Sequence, residues 1–151
     1  METWSLFGFI RETVDKKVFF RKDSSSNDYL LYDFGAELDD TVTILQMFSF
    51  GGNTYINNIP SIICDIDSVE IDGSNRCRFH LNPMPFGDTI GCYFEWWIEG
   101  IGSLSGLFHY TDGSVGGHDY QLLCFYEDDT LIYQNPSFGS CFYDNTGIIE
   151  Q

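Results

Sequence analysis

The chain has 151 residues, 43% of them hydrophobic and 17% aromatic, enough apolar material for one core and too much for a disordered chain. Its 23 acidic and 7 basic residues give a formal charge of −16, which repels nucleic-acid phosphates and anionic membrane surfaces and leaves cations and neutral molecules as partners. No apolar run reaches the roughly 18 residues that read as a membrane-spanning helix, so no membrane insertion is expected.

In chain order, residues 4–13 and 17–22 flank Val14-Asp15-Lys16 and read as a first hairpin. A polar turn at 23–28 leads to a third strand at 29–34, a turn at 35–40 and a fourth strand at 41–50. Residues 51–60, GGNTYINNIP, read as a loop rich in Gly and Asn and closed by Pro60. In 62–71 the apolar positions 62, 64 and 66 change phase to 69 and 71, which predicts a bulge at Asp67-Ser68. A three-residue loop Gly73-Ser74-Asn75 then sets Ile71 opposite Cys77 and Val69 opposite Phe79 on the buried face. On the other face it pairs Asp72 with Arg76 and Glu70 with Arg78.

A proline-broken connection, 82–91, precedes the central stretch 92–107, CYFEWWIEGIGSLSGL. Residues 102–109 read as a short strand, 110–118 as a loop tip, 120–126 and 131–134 as a last hairpin around Asp128-Asp129, and the rest as loop. No stretch carries a helical period. The expectation is a single all-β domain over 1–151 with little or no helix: about ten short strands in an antiparallel β-sandwich, or in a strongly curved sheet or partly closed barrel.

None of the chemical motifs is complete. Gly100-Ile101-Gly102 opens like a dinucleotide fingerprint, but Ser105 stands at the third glycine and no helix follows; the glycines are expected to release the strand into a bulge or admit another backbone. Glu95 and Glu99 would share a strand face about 13 Å apart, beyond the roughly 5.5 Å of retaining or 6.5–9.5 Å of inverting glycosidases. Asp65 and Asp67 lie nearer, but the expected bulge turns one away. His109 and His118 with Asp112 and Asp119 occupy a loop without preset metal geometry, and His80 alternates with Arg76 and Arg78 on a solvent face. The acidic turns at 23–28, 39–40 and 127–129 make calcium possible, although none has the spacing of a calcium loop. Leu104 stands where a Gly102–Gly106 nucleophile elbow would need its nucleophile. Strand alternation sends Trp96 and Trp97 to opposite faces, one to the core and one to solvent or a second layer, where it could stack on a sugar.

The fragments at 8–21 (GFIRETVDKKVFFR), 30–42 (LLYDFGAELDDTV), 66–81 (IDSVEIDGSNRCRFHL), 97–107 (WIEGIGSLSGL) and 122–141 (LLCFYEDDTLIYQNPSFGSC) run through nearly the whole chain. Together they resemble a domain recurrent in secreted or surface proteins of Bacteroidetes, usually just upstream of a type IX secretion C-terminal sorting domain. The resemblance rests on turns and strand starts, so it implies a place, secreted or at the cell surface, more than an activity. It also implies a disulfide between Cys124 and Cys141; Cys64, Cys77 and Cys92 fall outside the matched cysteine positions and their state stays open. Met1-Glu2-Thr3-Trp4 has neither the basic nor the apolar region of a signal peptide, so export is expected to depend on sequence outside these 151 residues. The function expected is a non-catalytic structural or binding module without a cofactor, working with other domains of its parent chain, with a glycan or another surface protein as the candidate outside partner. The alternative is a carbohydrate-binding module using Trp96 or Trp97.

Overall fold

The computed structural model describes residues 6–84, 95–108 and 121–141. They form ten strands: β1 (Phe9–Glu12), β2 (Lys17–Arg21), β3 (Tyr29–Asp33), β4 (Thr41–Phe50), β5 (Asn53–Ile71), β6 (Ser74–Pro83), β7 (Glu95–Ile98), β8 (Gly102–Ser103), β9 (Cys124–Glu127) and β10 (Thr130–Gln134). Strands β4 to β8 make one five-stranded antiparallel sheet that curls into a half-barrel. The sheet β1-β2-β3 and the hairpin β9-β10 are the two smaller units. The all-β expectation holds, and no helix among the described residues is long and apolar enough to cross a membrane.

Two tight turns set the register of the large sheet. Between β4 and β5 the turn is Gly51-Gly52, with φ of 59° and 81°, left-handed values that glycine adopts at little cost. Residues 53–60 are therefore strand, not the loop their composition suggests, with Phe50 opposite Asn53 and Thr41 opposite Ile62. Pro60 fits because it faces Thr43 at a level beyond the end of β6, whose last pair is Ser61 with Pro83, so no ladder bond to β6 is lost.

Between β5 and β6 the turn is Asp72-Gly73, with φ of 50° and 71°. This corrects the three-residue loop expected at 73–75: Asp67 pairs with Arg78, Ser68 with Cys77 and Val69 with Arg76. An Asp-Gly turn has the twist of the strands it joins, and that preference outweighs surface charge matching of Glu70 with Arg78. The bulge lies between Ile63 and Asp65, not at Asp67-Ser68. It keeps Ile63 opposite Leu81 and Ile66 opposite Phe79 on one face.

The β1–β3 sheet packs over that face. Phe20, Leu31, Tyr32 and Phe34 share one core with Ile63, Phe79, Leu81 and Trp97. Trp97 is 1% exposed and meets Tyr32 and Phe34 edge-on, with ring centroids 5.1 and 6.4 Å away. Burying a ring of that size contributes on the order of several kcal/mol, so this residue pins the small sheet to the large one.

Candidate functional site: a cleft beside the β7–β8 turn

The chain leaves β7 through Glu99-Gly100-Ile101 and returns as β8, closed by Ile101 N–H donating to the Ile98 carbonyl at 2.9 Å. Both glycines have positive φ, 76° at Gly100 and 102° at Gly102. A Cβ on Gly100 would lie 2.5 Å from a guanidinium nitrogen of Arg76, and one on Gly102 2.7 Å from the Tyr32 ring. The glycine run thus admits two side chains, where another backbone or a bulge was expected.

That turn walls a cleft of about 300 Å³ between the β1–β3 sheet and β9. Ile10, Val18, Phe34, Ile101, Leu107 and Phe125 supply apolar surface, and Glu12, Tyr32 and Ser103 the polar side chains. Leu122, also on the wall, is held by its N–H on the Leu104 carbonyl at 2.7 Å. Burial, with a smaller contribution from the charge of Glu95, holds the Tyr32 phenol protonated well above the usual range.

Behind Ser103 lies Glu95, 1% exposed, on the core face of β7 opposite Leu81. It accepts hydrogen bonds from the Ser103 hydroxyl and, at 2.8 Å, from the Ser105 hydroxyl; Ser103 Oγ in turn accepts Ser105 N–H at 2.9 Å. Glu99 has different partners. Lys16 Nζ sits 2.8 Å from its carboxylate and lowers its pKa. Spacing alone separates the two glutamates; it does not reveal that one is a buried acceptor tying β7 to β8.

Trp96 lies on the opposite face, half-buried, paired with His80. The Arg78 guanidinium carbon stands 5.0 Å from its ring centroid and the His80 ring 5.3 Å. Asp67 accepts from Arg78 Nε at 2.8 Å and from the terminal guanidinium nitrogen, and its Oδ1 is 3.2 Å from His80 Nε2. The Arg78 hydrogen bonds, and less strongly His80, pull the Asp67 pKa down to about 2. So His80 keeps the face of Arg78 as expected but is buried there, 6% exposed, instead of solvent-facing, and Asp65 keeps the same face as Asp67, since their partners His80 and Arg78 are two apart. Trp97 is the core tryptophan and Trp96 the other.

Among the described residues one aromatic pair has both rings exposed, and no strand pattern in the sequence marks it. Phe48 and Tyr55, 41% and 43% exposed, oppose each other across β4 and β5 with rings stacked 5.4 Å apart at 17°. A two-residue Gly51-Gly52 turn is the signal that would have paired them.

Cys124 and Cys141 form a disulfide across 17 residues, as the resemblance implied. Cys64 is also disulfide-bonded, its partner outside the described residues, and Cys77 is a free thiol whose pKa is pushed up by desolvation and by Glu99. Cys92, His109, Asp112, His118 and Asp119 also fall outside the described residues. Among the described residues no three His, Cys, Asp or Glu side chains gather as a metal site. In the acidic turns Asp23 accepts Ser25 N–H at 2.9 Å, Asp40 accepts Glu37 N–H at 2.8 Å, and Asp28 binds Arg11 and Arg21. Compared with protein-family models, curated proteins and solved structures, the chain has no match.

Proposed function

We propose that this chain is a non-catalytic structural or binding module of an exported protein, at the cell surface or beyond it, carried there by the type IX route. The observation that carries the reading is disulfide bonding at Cys124, Cys141 and Cys64, because disulfides persist in oxidising compartments and are rare in reducing ones. The resemblance to domains that precede a type IX sorting domain supports the same place. Two carboxylates suited to acid–base work are already committed, Glu95 to two serines in the core and Asp67 to Arg78. The test is fractionation of the parent protein with non-reducing peptide mapping. Export with Cys124 linked to Cys141 is the expected result; a parent confined to the cytoplasm with both thiols reduced overturns it.

Carbohydrate binding is the second reading. It is favoured by the stacked, exposed Phe48 and Tyr55 more than by either tryptophan, since Trp97 is sealed in the core and Trp96 lies beneath Arg78. A glycan array probed with the chain and with Tyr55→Ala tests it; no retained glycan, or retention indifferent to Tyr55, ends this reading.

A further inference from the structure

We infer that the cleft beside the β7–β8 turn binds a small organic cation, an ammonium group carried on an alkyl or aryl body. At about 300 Å³ it is at the small end of ligand sites, and its walls are mostly aliphatic and aromatic, which suits an apolar body. Among the described residues Glu12 is the one charged side chain on its lining; it is exposed and makes no hydrogen bond or ion pair with another described residue. Of the neighbouring cations, Lys16 sits on Glu99 at 2.8 Å and is acted on only secondarily by the charge of Glu12, Lys17 sits on Asp15 at 3.2 Å, and Arg76, behind Gly100, donates to the Glu99 carbonyl at 3.3 Å. An anionic ligand would therefore meet an unbalanced carboxylate, and a cationic one would balance it. Tyr32, Phe34 and Phe125 add aromatic carbon to the lining, which suits the apolar body of such a ligand. The −16 charge of the chain raises the local concentration of cations further. Among the described lining residues a sugar would find few polar side chains, Glu12, Tyr32 and Ser103, for its hydroxyls.

The cleft is held in shape by packing and hydrogen bonds. Trp97 fixes Tyr32 on one side, the Glu95–Ser103–Ser105 hydrogen bonds hold β8 against β7, and Gly102 lets the turn close on the Tyr32 ring. The inference does not depend on export, and its failure would leave the export reading untouched.

The experiment is an NMR titration of the full chain with phenethylamine, phenethyl alcohol and phenylacetate, which share a ring and differ in charge. Phenethylamine is expected to shift the amides of Gly100, Ile101, Gly102 and Phe125 saturably, with phenylacetate about tenfold weaker or silent. Glu12→Gln, at an exposed position, should weaken phenethylamine about fivefold and leave phenethyl alcohol unchanged. Ile101→Trp should fill the cleft and abolish the shifts, and Leu122→Trp serves if that variant does not fold. Absence of saturable shifts, equal binding of phenylacetate, no effect of Glu12→Gln, or undiminished binding in the filled variants overturns the inference.

Discussion

Gly102 lies against the ring of Tyr32, where a Cβ would stand 2.7 Å from a ring carbon and 2.8 Å from the phenol oxygen. With φ of 102° as well, Gly102→Ala meets both backbone strain and a packed ring and should cost about 2–4 kcal/mol. Gly100→Ala shares the strain but meets only the guanidinium end of Arg76, whose hydrogen bond to the Glu99 carbonyl would have to shift, so about 1–2 kcal/mol is expected. Urea unfolding of the two variants compares them; equal losses would show that Tyr32 does not matter.

Glu95 accepts two hydroxyl hydrogen bonds with almost no access to water. Glu95→Ala removes the buried acceptor of the Ser103 and Ser105 hydroxyls and opens a void, at about 2–4 kcal/mol. Glu95→Gln keeps the shape and one acceptor and should lose roughly half as much. Chemical denaturation of both variants measures the difference.

Acid should weaken the face that carries Trp96. The folded pKa of Asp67 is lowered to about 2, so its contribution is complete above the unfolded value near 4 and is lost as pH falls from about 4 towards 2. Asp67→Asn should flatten the melting temperature against pH in that window while lowering it at neutral pH. Asp23 and Asp28, also lowered to about 2, titrate in the same window, so the variant's curve must be compared with the parent's.

The β9–β10 turn is built from Asp128 and Asp129, both at positive φ, 46° and 62°. Asp129→Gly relieves one unfavourable conformation and should raise stability by about 0.5–1 kcal/mol. Thermal unfolding reads the sign; a fall in melting temperature would mean that the aspartate contributes more than its backbone strain costs.

Opening the Cys124–Cys141 bridge in Cys141→Ser frees a 17-residue separation and should lower stability by up to about 3 kcal/mol. Thermal unfolding of the variant beside the unreduced parent, with the Cys64 bridge closed in both, measures it; no loss would mean that the bridge contributes less than its loop length implies.

Strands β2, β3 and β4 are legible because apolar runs between polar turns bound them on both sides. The long β5 is less so: Asn57, Asn58 and Pro60 look like loop chemistry, and only its pairing with β4 shows that the proline lies beyond the reach of β6. The β5–β6 register was written locally in Asp72-Gly73, and a choice based on Glu70–Arg78 charge matching loses to it because exposed ion pairs are worth so little. The cleft cannot be read from spacing, since its walls come from β1, β3 and β9, far apart in the chain; Glu95 bonds Ser103 and Ser105 close by, but only the packing of the sheets makes that position a buried one.

By itself the sequence determines that this chain is all-β, acidic, and equipped with adjacent tryptophans that must part to opposite faces. Alternation requires that separation but is symmetric between the two faces. Which face is the core depends on where the β1–β3 sheet comes to rest. It rests with Tyr32 and Phe34 on Trp97, so Trp97 is sealed, Glu95 is buried on the same face, and Trp96 is left to Arg78 and His80.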